Sequence, residues 1–361
     1  MNSQSIAHDL TADDFWRQVS DPGRPPVFLP DIGTFFNQDI ELARDLVQQV
    51  AGCGVRFLKG EILHDADICL RTDVCERYLG HDARPVSENY RQLIERKVVS
   101  LAHYARVFEA SAAAGIGIAL SVYDAAGADF ARDIGACALK VASTNLVHAP
   151  LIRHAARSGL PLILDTGKAT LDEVARSVRW AREAGAERLI VEYSPPAPPA
   201  PVEGHNLRVF ELLGAAFDCP LGLSDHHAGE EMLYAASALG CRVLEKGVCP
   251  DHMDADQDVF HALPVGQLAD VVRKCNSIFA AMGDSRAAYA PPPERPAARM
   301  GLVTAAAVRA GERLTLDSVR FAFPTLGVPV EEWDRVVGRR FASDLAANTP
   351  IGWEHVSTDG P

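Results

Sequence analysis

Short runs of β-branched and small apolar residues alternate along the chain with longer segments whose apolar positions recur every three to four residues. Eight of the short runs read as strands, at 27–32, 55–59, 116–121, 136–141, 162–165, 188–192, 221–224 and 242–246. Between most of them lie amphipathic stretches that read as helices, among them 39–51, 171–184, 207–217 and 230–239. Asp172 and Glu173 stand where a helix N-terminus favours negative charge. Alternating β and α elements with short connections predict a parallel sheet, and eight strands favour a closed (β/α)8 TIM barrel of the α/β class over an open sheet. No G-x-G-x-x-G follows any strand, which argues against a dinucleotide fold.

The barrel pattern closes with a helix at 264–282. A proline-rich stretch follows, Ala290-Pro291-Pro292-Pro293-Glu294-Arg295-Pro296, of the stiff, extended kind. Beyond it, strand-like pieces at 301–308 and 318–323 and turn residues at Ala310-Gly311-Glu312 predict a compact second domain of about 60 residues, small enough to lean on its surroundings. The expected organisation is an N-terminal extension at 1–24, a barrel at 25–283, a linker at 284–298 and the small domain at 299–361. The long connection at 71–90 is of the kind that covers a site on this fold.

Composition narrows the function. The chain is 48% hydrophobic with a formal charge of −13, the balance of an ordinary globular protein and the wrong field for nucleic acid. Local cations can still hold a small anion. Its eight cysteines are scattered without a C-x-x-C pair and read as reduced thiols. The first twenty residues lack the basic start and apolar core of a secretion signal, and no apolar stretch approaches the roughly 20 residues of a membrane span. A cytoplasmic protein with no membrane partner is expected.

Four polar segments stand where strands end, at the edge where barrels do their chemistry. They are Lys140-Val141-Ala142-Ser143, Asp165-Thr166-Gly167-Lys168, Ser224-Asp225-His226-His227 and Glu245-Lys246-Gly247. With Pro30-Asp31-Ile32-Gly33, Arg56-Phe57-Leu58, Leu120-Ser121-Val122-Tyr123-Asp124 and Ala169-Thr170-Leu171, they resemble the N-acetylneuraminate (sialic acid) synthase family. That family's barrel is followed by an antifreeze-like (SAF, β-clip) domain, which 303–311 and 342–353 resemble. Its motifs are Ala-Glu-Ile-Gly, Lys-Phe-Gln, Ser-Thr-Pro-Phe-Asp, Ser-Thr-Gly-Met and Ser-Asp-His.

The resemblance implies a synthase that condenses phosphoenolpyruvate with an amino-sugar or related aldehyde, giving a nonulosonic (2-keto-3-deoxy) acid and phosphate. It implies Arg56, Ser121, Lys140, Ser143, Asp165, Thr166, Lys168 and Ser224 as substrate-binding residues, and Asp31 and His226 as catalytic ones. Lys59, Glu61 and Lys246 are further candidates for the lining, Lys246 with a structural role. It also implies a homodimer in which the small domain covers the partner's site, and a divalent metal, manganese or magnesium, on two histidines.

The departures lie at the chemistry. His226 fills the first metal position but Gly247 fills the second, with His227, Asp251 and His252 as stand-ins. The family's His-Cys-x-Ser-x-Tyr-Pro reads Glu192-Tyr193-Ser194-Pro195-Pro196-Ala197-Pro198, and the arginine that its small domain sends into the site becomes Phe323, with Arg320 nearby. Asp165 and Lys168 are new charges, which form either an ion pair or a contact to a different substrate. The alternative function is therefore an altered-chemistry or non-catalytic barrel: a lyase or aldolase with a Schiff base on Lys140 or Lys168, or a binding protein without the metal site.

Overall fold

The computed structural model describes residues 10–196, 199–253, 256–284, 286 and 296–358. The chain divides into two compact units, Met1–Met282 and Gly283–Pro361. Most of the proline-rich stretch, together with Ala197 and Pro198 of the altered segment, lies outside the described residues.

The strands of the first unit begin with β1 Val27–Asp31, β2 Phe57–Ile62, β3 Cys75–Leu79, β4 Pro85–Asn89 and β5 Gly117–Val122. They continue with β6 Ala138–Val141, β7 Leu162–Asp165, β8 Leu189–Tyr193, β9 Leu221–Asp225, β10 Val243–Cys249 and the two-residue β11 Leu263–Pro264. Strands β1, β2 and β5 to β10 pair in parallel in that order. Strand β1 also pairs with β10, from Val27 opposite Val243 to Asp31 opposite Gly247, so the sheet closes on itself. This is the eight-stranded parallel barrel that the β–α alternation predicts. Strands β3 and β4 form an antiparallel hairpin inside the long connection at 71–90.

Helices Ile40–Ala51, Leu101–Ala113, Ala125–Asp133, Ala149–Ala156, Leu171–Glu183, Val209–Ala216, Glu231–Ala238 and Leu268–Met282 complete the β–α units. Leu171–Glu183 starts at a capping box in which Thr170 and Glu173 bond each other's backbone N–H, so Glu173 both caps and faces the helix dipole. The barrel strands, unlike the β3–β4 hairpin, are buried on both faces, and period-two alternation sorts their residues. Residues such as Leu58, Leu139, Leu164, Val191 and Leu244 face the helices in the main core. Val27, Leu29, Phe57, Ala119, Ala138, Ile163, Ile190 and Val243 pack together inside the barrel.

The lower end of that interior is plugged. Helix Ala12–Ser20, opened by a capping box between Thr11 and Asp14, buries Phe15 and Val19 completely. Phe15 meets Phe57 edge to face at 5.1 Å between ring centroids. The guanidinium of Arg242 then donates to the backbone carbonyls of Gln18, Val19, Asp21 and Arg24, holding the C-terminal end of the plug helix. The segment that reads as a polar extension thus includes part of the barrel's interior.

The second unit holds an antiparallel pair, β12 Gly301–Thr304 with β13 Val319–Ala322. Its own core includes Leu302, Val308, Leu314, Val328, Phe341 and Ile351.

Removing the plug's ring tests its share of the fold. Phe15→Ala is expected to lower unfolding stability by about 3–5 kcal/mol, the range for emptying a buried phenylalanine site, read as a lower denaturant midpoint with unchanged slope.

Candidate active site

The alternation that places apolar residues inside the lower barrel continues upward and changes chemistry. Two residues past Leu29, Phe57, Ala119, Ala138, Ile163, Ile190 and Val243, on the same face of each strand, come Asp31, Lys59, Ser121, Lys140, Asp165, Glu192 and Glu245. A layer of charge therefore sits directly on a layer of hydrocarbon, at the carboxyl ends of the strands.

Two ammonium groups organise the layer. Lys140 Nζ lies 2.6 Å from Glu245 Oε1, 2.7 Å from Glu192 Oε2 and 2.9 Å from Asp165 Oδ2, with Ser224 Oγ at 3.3 Å. Lys59 Nζ lies 2.5 Å from Asp31 Oδ2, 3.4 Å from Glu61 Oε1 and 3.6 Å from Glu245 Oε1. Glu245 bridges the two lysines and also accepts from Ser224 Oγ at 3.0 Å. Asp165 accepts further bonds from Ser194 Oγ and the Gly167 N–H. Tyr123 Oη donates to Glu61 at 2.8 Å. Two cations thus meet five carboxylates.

The titration behaviour follows from that count. Burial works against the charge on Lys140, but Asp165, Glu192 and Glu245 hold its pKa well above the ordinary value. Burial likewise opposes the charge on Lys59, and Asp31, Glu245 and Glu61 outweigh it. Asp165 is drawn low against its burial by Lys140 and Ser194, and Glu61 by Lys59 and Tyr123. The surplus of negative charge falls on the remaining groups. Burial and then Glu245 push Glu192 up to about 8 against Lys140, and burial raises Asp31 to about 7 against Lys59.

The structure brings Asp31, Ser121, Lys140, Asp165 and Ser224 of the expected site into this layer. Ser121 Oγ is buried with no hydrogen-bond partner among the described residues. Thr166 is buried just above, its N–H bonded to the carbonyl of Glu192. Ser143 lies at the rim. A Cβ on Gly167 would fall 3.0 Å from Ser143 Cβ and 2.5 Å from Ser194 Oγ, so only glycine lets these strand ends approach so closely.

Arg56 does not belong to the site. It precedes β2 at the lower end of the barrel, exposed, bonded to Gln18 Oε1 at 2.8 Å and stacked over Phe57. The strand begins at Phe57 and runs to Ile62, so its carboxyl end carries Lys59-Gly60-Glu61. Lys59 and Glu61, not Arg56, are the charges that this strand brings to the site.

Lys168 is exposed in a left-handed turn (φ 60°), and Asp165 takes Lys140 as its partner instead. The Schiff-base reading loses both lysines on this ground, since Lys168 is outside the layer and Lys140 is held firmly charged, the reverse of what an amine nucleophile needs. Lys246 is structural, bonded to Asp225 Oδ2 at 2.8 Å and to the carbonyls of His227 and Gly229. Its neighbour Glu245 turns into the barrel and pairs there with Lys140 and Lys59.

The residues do not fit the metal that the family resemblance implies. A Cβ on Gly247 would stand 3.5 Å from the Phe35 ring and from Ala262 Cβ, an apolar surrounding. His226 Nδ1–H donates to the carbonyl of Ser224 (3.2 Å), and the ring meets that of His261 edge-on at 5.0 Å. Asp251 caps the Gly266 N–H, His227 pairs with Glu231 and His252 is exposed. Among the described residues no three His, Cys, Asp or Glu side chains converge as a metal would require. Phe323 and Arg320, in the second unit, are exposed.

Sequence reasoning missed Glu192 and Glu245 as members of the layer and His261 as the neighbour of His226. For the two glutamates the signal was present: each stands two residues after an inward apolar residue of its strand.

A closed (β/α)8 barrel with ionisable groups gathered at the carboxyl ends of its strands is the frame of a small-molecule enzyme. The sequence profile of the NeuB family matches residues 46–287 and that of the SAF domain residues 299–357. The chain belongs to the NeuB family. It is 23% identical to the N,N'-diacetyllegionaminic acid synthase of Legionella pneumophila, over 91% of this chain and 94% of that one. With the pseudaminic acid synthase of Helicobacter pylori it shares 23%, over 92% and 98%. With the human N-acetylneuraminate-9-phosphate synthase it shares 24%, over 94% and 95%. Among solved structures, a putative spore coat polysaccharide biosynthesis protein E from Chromobacterium violaceum superposes with a TM-score of 0.71 at 20% identity, covering 92% of this chain and 99% of that one.

The raised acids set the pH dependence of stability. Glu192 and Asp31 keep, in the native state, protons that the unfolded chain releases near their ordinary values of 4.5 and 3.8. Their contribution is full below those values and is lost as pH rises through about 7 for Asp31 and about 8 for Glu192. The expected outcome is a melting temperature that falls between pH 5.5 and 8.5, with a shallower fall in Glu192→Gln, followed by calorimetry.

Proposed function

We propose that this protein is a C–C bond-forming synthase that condenses phosphoenolpyruvate with an amino-sugar or related aldehyde, releasing phosphate and a nonulosonic acid. The observation that carries the reading is the placement of Lys59, Lys140, Ser121 and Ser224 on one inward layer of a closed barrel, in a chain that matches synthases along nine-tenths of its length. Paired ammonium groups with hydroxyl donors between them are what an anionic three-carbon acid requires.

The steps assigned to this chain's residues are few. Lys59 and the unpartnered Ser121 hydroxyl hold the donor acid at the mouth. Asp31, a carboxyl whose pKa is raised to about 7 by burial, moves a proton near neutral pH, serving as the base for the water that attacks C2. Ser143, Thr166 and His226 line the rim toward the aldehyde. No step is assigned to a metal, because the donor set around His226 does not fit one.

A second reading is favoured by the excess of carboxylates over lysines: a barrel of altered chemistry or a binding protein. The remaining expectations travel with the first reading. They are a cytoplasmic homodimer, with a barrel at 25–283, a linker at 284–298 and a small domain at 299–361. No helix among the described residues is long and apolar enough to cross a membrane.

The test is a coupled phosphate-release assay with phosphoenolpyruvate and a panel of amino-sugar aldehydes, with and without manganese. Phosphate released only when an aldehyde is present is expected. Ser121→Ala should raise the KM for phosphoenolpyruvate roughly tenfold or more, the cost of one hydrogen bond to a charged ligand. Absence of release with every aldehyde would turn the assignment to the second reading.

A further inference from the structure

The five carboxylates pose a question that the condensation alone does not answer: how a phosphate approaches Lys140. An ammonium has three N–H bonds, and three carboxylates surround this one within 2.9 Å. Asp165 and Glu245 each have other donors, from Ser194 and Gly167 and from Ser224 and Lys59. Glu192 has none of these. It is wholly buried, its Oε2 stands 2.7 Å from Lys140 Nζ as an ion pair, and neither oxygen has a hydrogen-bond partner among the described residues. Gly222 of β9, in register with Glu192, brings no side chain to it.

The charged groups facing Glu192 are Lys140 from β6, Asp165 from β7 and Glu245 from β10. One cation cannot balance three buried anions at this spacing, since each added negative charge within a few ångströms costs more than the shared ammonium returns. A proton must be retained in the cluster. The member with fewest competing donors keeps it.

We infer that Glu192 serves as a neutral carboxylic acid whose O–H, lacking an acceptor in the protein, donates to the phosphate or carboxylate oxygen of the anionic donor substrate beside Lys140. The inference rests on the synthase reading for the identity of that donor. It turns an apparently hostile lining into a binding one: a protonated glutamate supplies a hydrogen bond where the family resemblance expects an imidazole. The pKa of about 8 fits the retained proton. Above that pH the group becomes a third negative charge around Lys140, against the incoming anion, so binding and proton retention are linked.

Two measurements on the full chain test this. The first needs no ligand: infrared difference spectra of the unliganded protein should show a protonated-carboxyl band that titrates near pH 8 and is lost in Glu192→Gln. The second is calorimetric titration with phosphoenolpyruvate between pH 7.5 and 9.5, a range in which its phosphoryl group stays in one charge state. Wild-type affinity should fall about tenfold or more. In E192Q, whose amide keeps donor hydrogens without titrating, it should change less than threefold over the same range. Glu192→Leu, of similar bulk and no donor, should bind at least tenfold more weakly than E192Q at pH 9.5. Phosphoenolpyruvate binding without the infrared band, or with the same pH slope in wild type and E192Q, overturns this inference and leaves the synthase reading standing. The band with no phosphoenolpyruvate binding at any pH overturns the donor role together with that reading.

Discussion

The bridge that Glu245 makes between Lys59 and Lys140 is the interaction on which the barrel's upper half depends. Without it the two ammonium groups, on strands two apart in the wall, would be neighbouring buried cations that repel each other. With it, strands β1, β2, β6, β7, β8 and β10 share one electrostatic unit. A buried pair is costly to assemble and far costlier to break, because the surviving charge has nowhere to go. The layer therefore constrains its members jointly. A change at Asp165 acts on Lys140, and through Lys140 on Glu245 and Glu192.

The hydrocarbon layer beneath gives that unit its strength. Phe57, Ile163, Ile190 and Val243, closed from below by Phe15 and Val19, keep water from reaching the acids from the lower end. In such surroundings the balance of charge must be met by protons when cations are short, and so the same burial that draws Asp165 and Lys140 together raises Glu192 and Asp31. The plug helix and the chemistry are linked in this way, although no residue of the plug touches the site.

Much of this was legible in the chain. The β–α alternation gave eight strands within a few residues of their places, and Asp31, Ser121, Lys140, Asp165 and Ser224 all fell on the inward layer. The error at Arg56 has a simple origin. The run Phe57-Leu58-Lys59-Gly60-Glu61-Ile62 carries two charges and a glycine, so its apolar signal fades at Leu58 while the strand goes on to Ile62. Since side chains alternate, the true strand end puts Lys59 and Glu61 inside and leaves Arg56 outside. Glu192 and Glu245 carried the spacing of inward residues, but spacing alone does not show what surrounds them. Their environment depends on pairing between strands distant in sequence, and neither residue type announces burial.

The region around Gly247 shows how a glycine on the inward face of a strand is packed. A glycine at an inward position could open a cavity that water or an ion would enter. Here Phe35, from the loop after β1, and Ala262, from the segment before β11, close on it, and Phe35 packs in turn with Cys249 and Val259. The space is filled with hydrocarbon, which makes the position unsuited to charge. His226, bonded to one carbonyl, edge-on to His261 and within the field of the Asp165 and Asp258 carboxylates, is then a rim residue. The reactive polarity of the barrel has moved to the carboxyl layer below it, where Asp31 and Glu192 hold protons that can be exchanged near neutral pH.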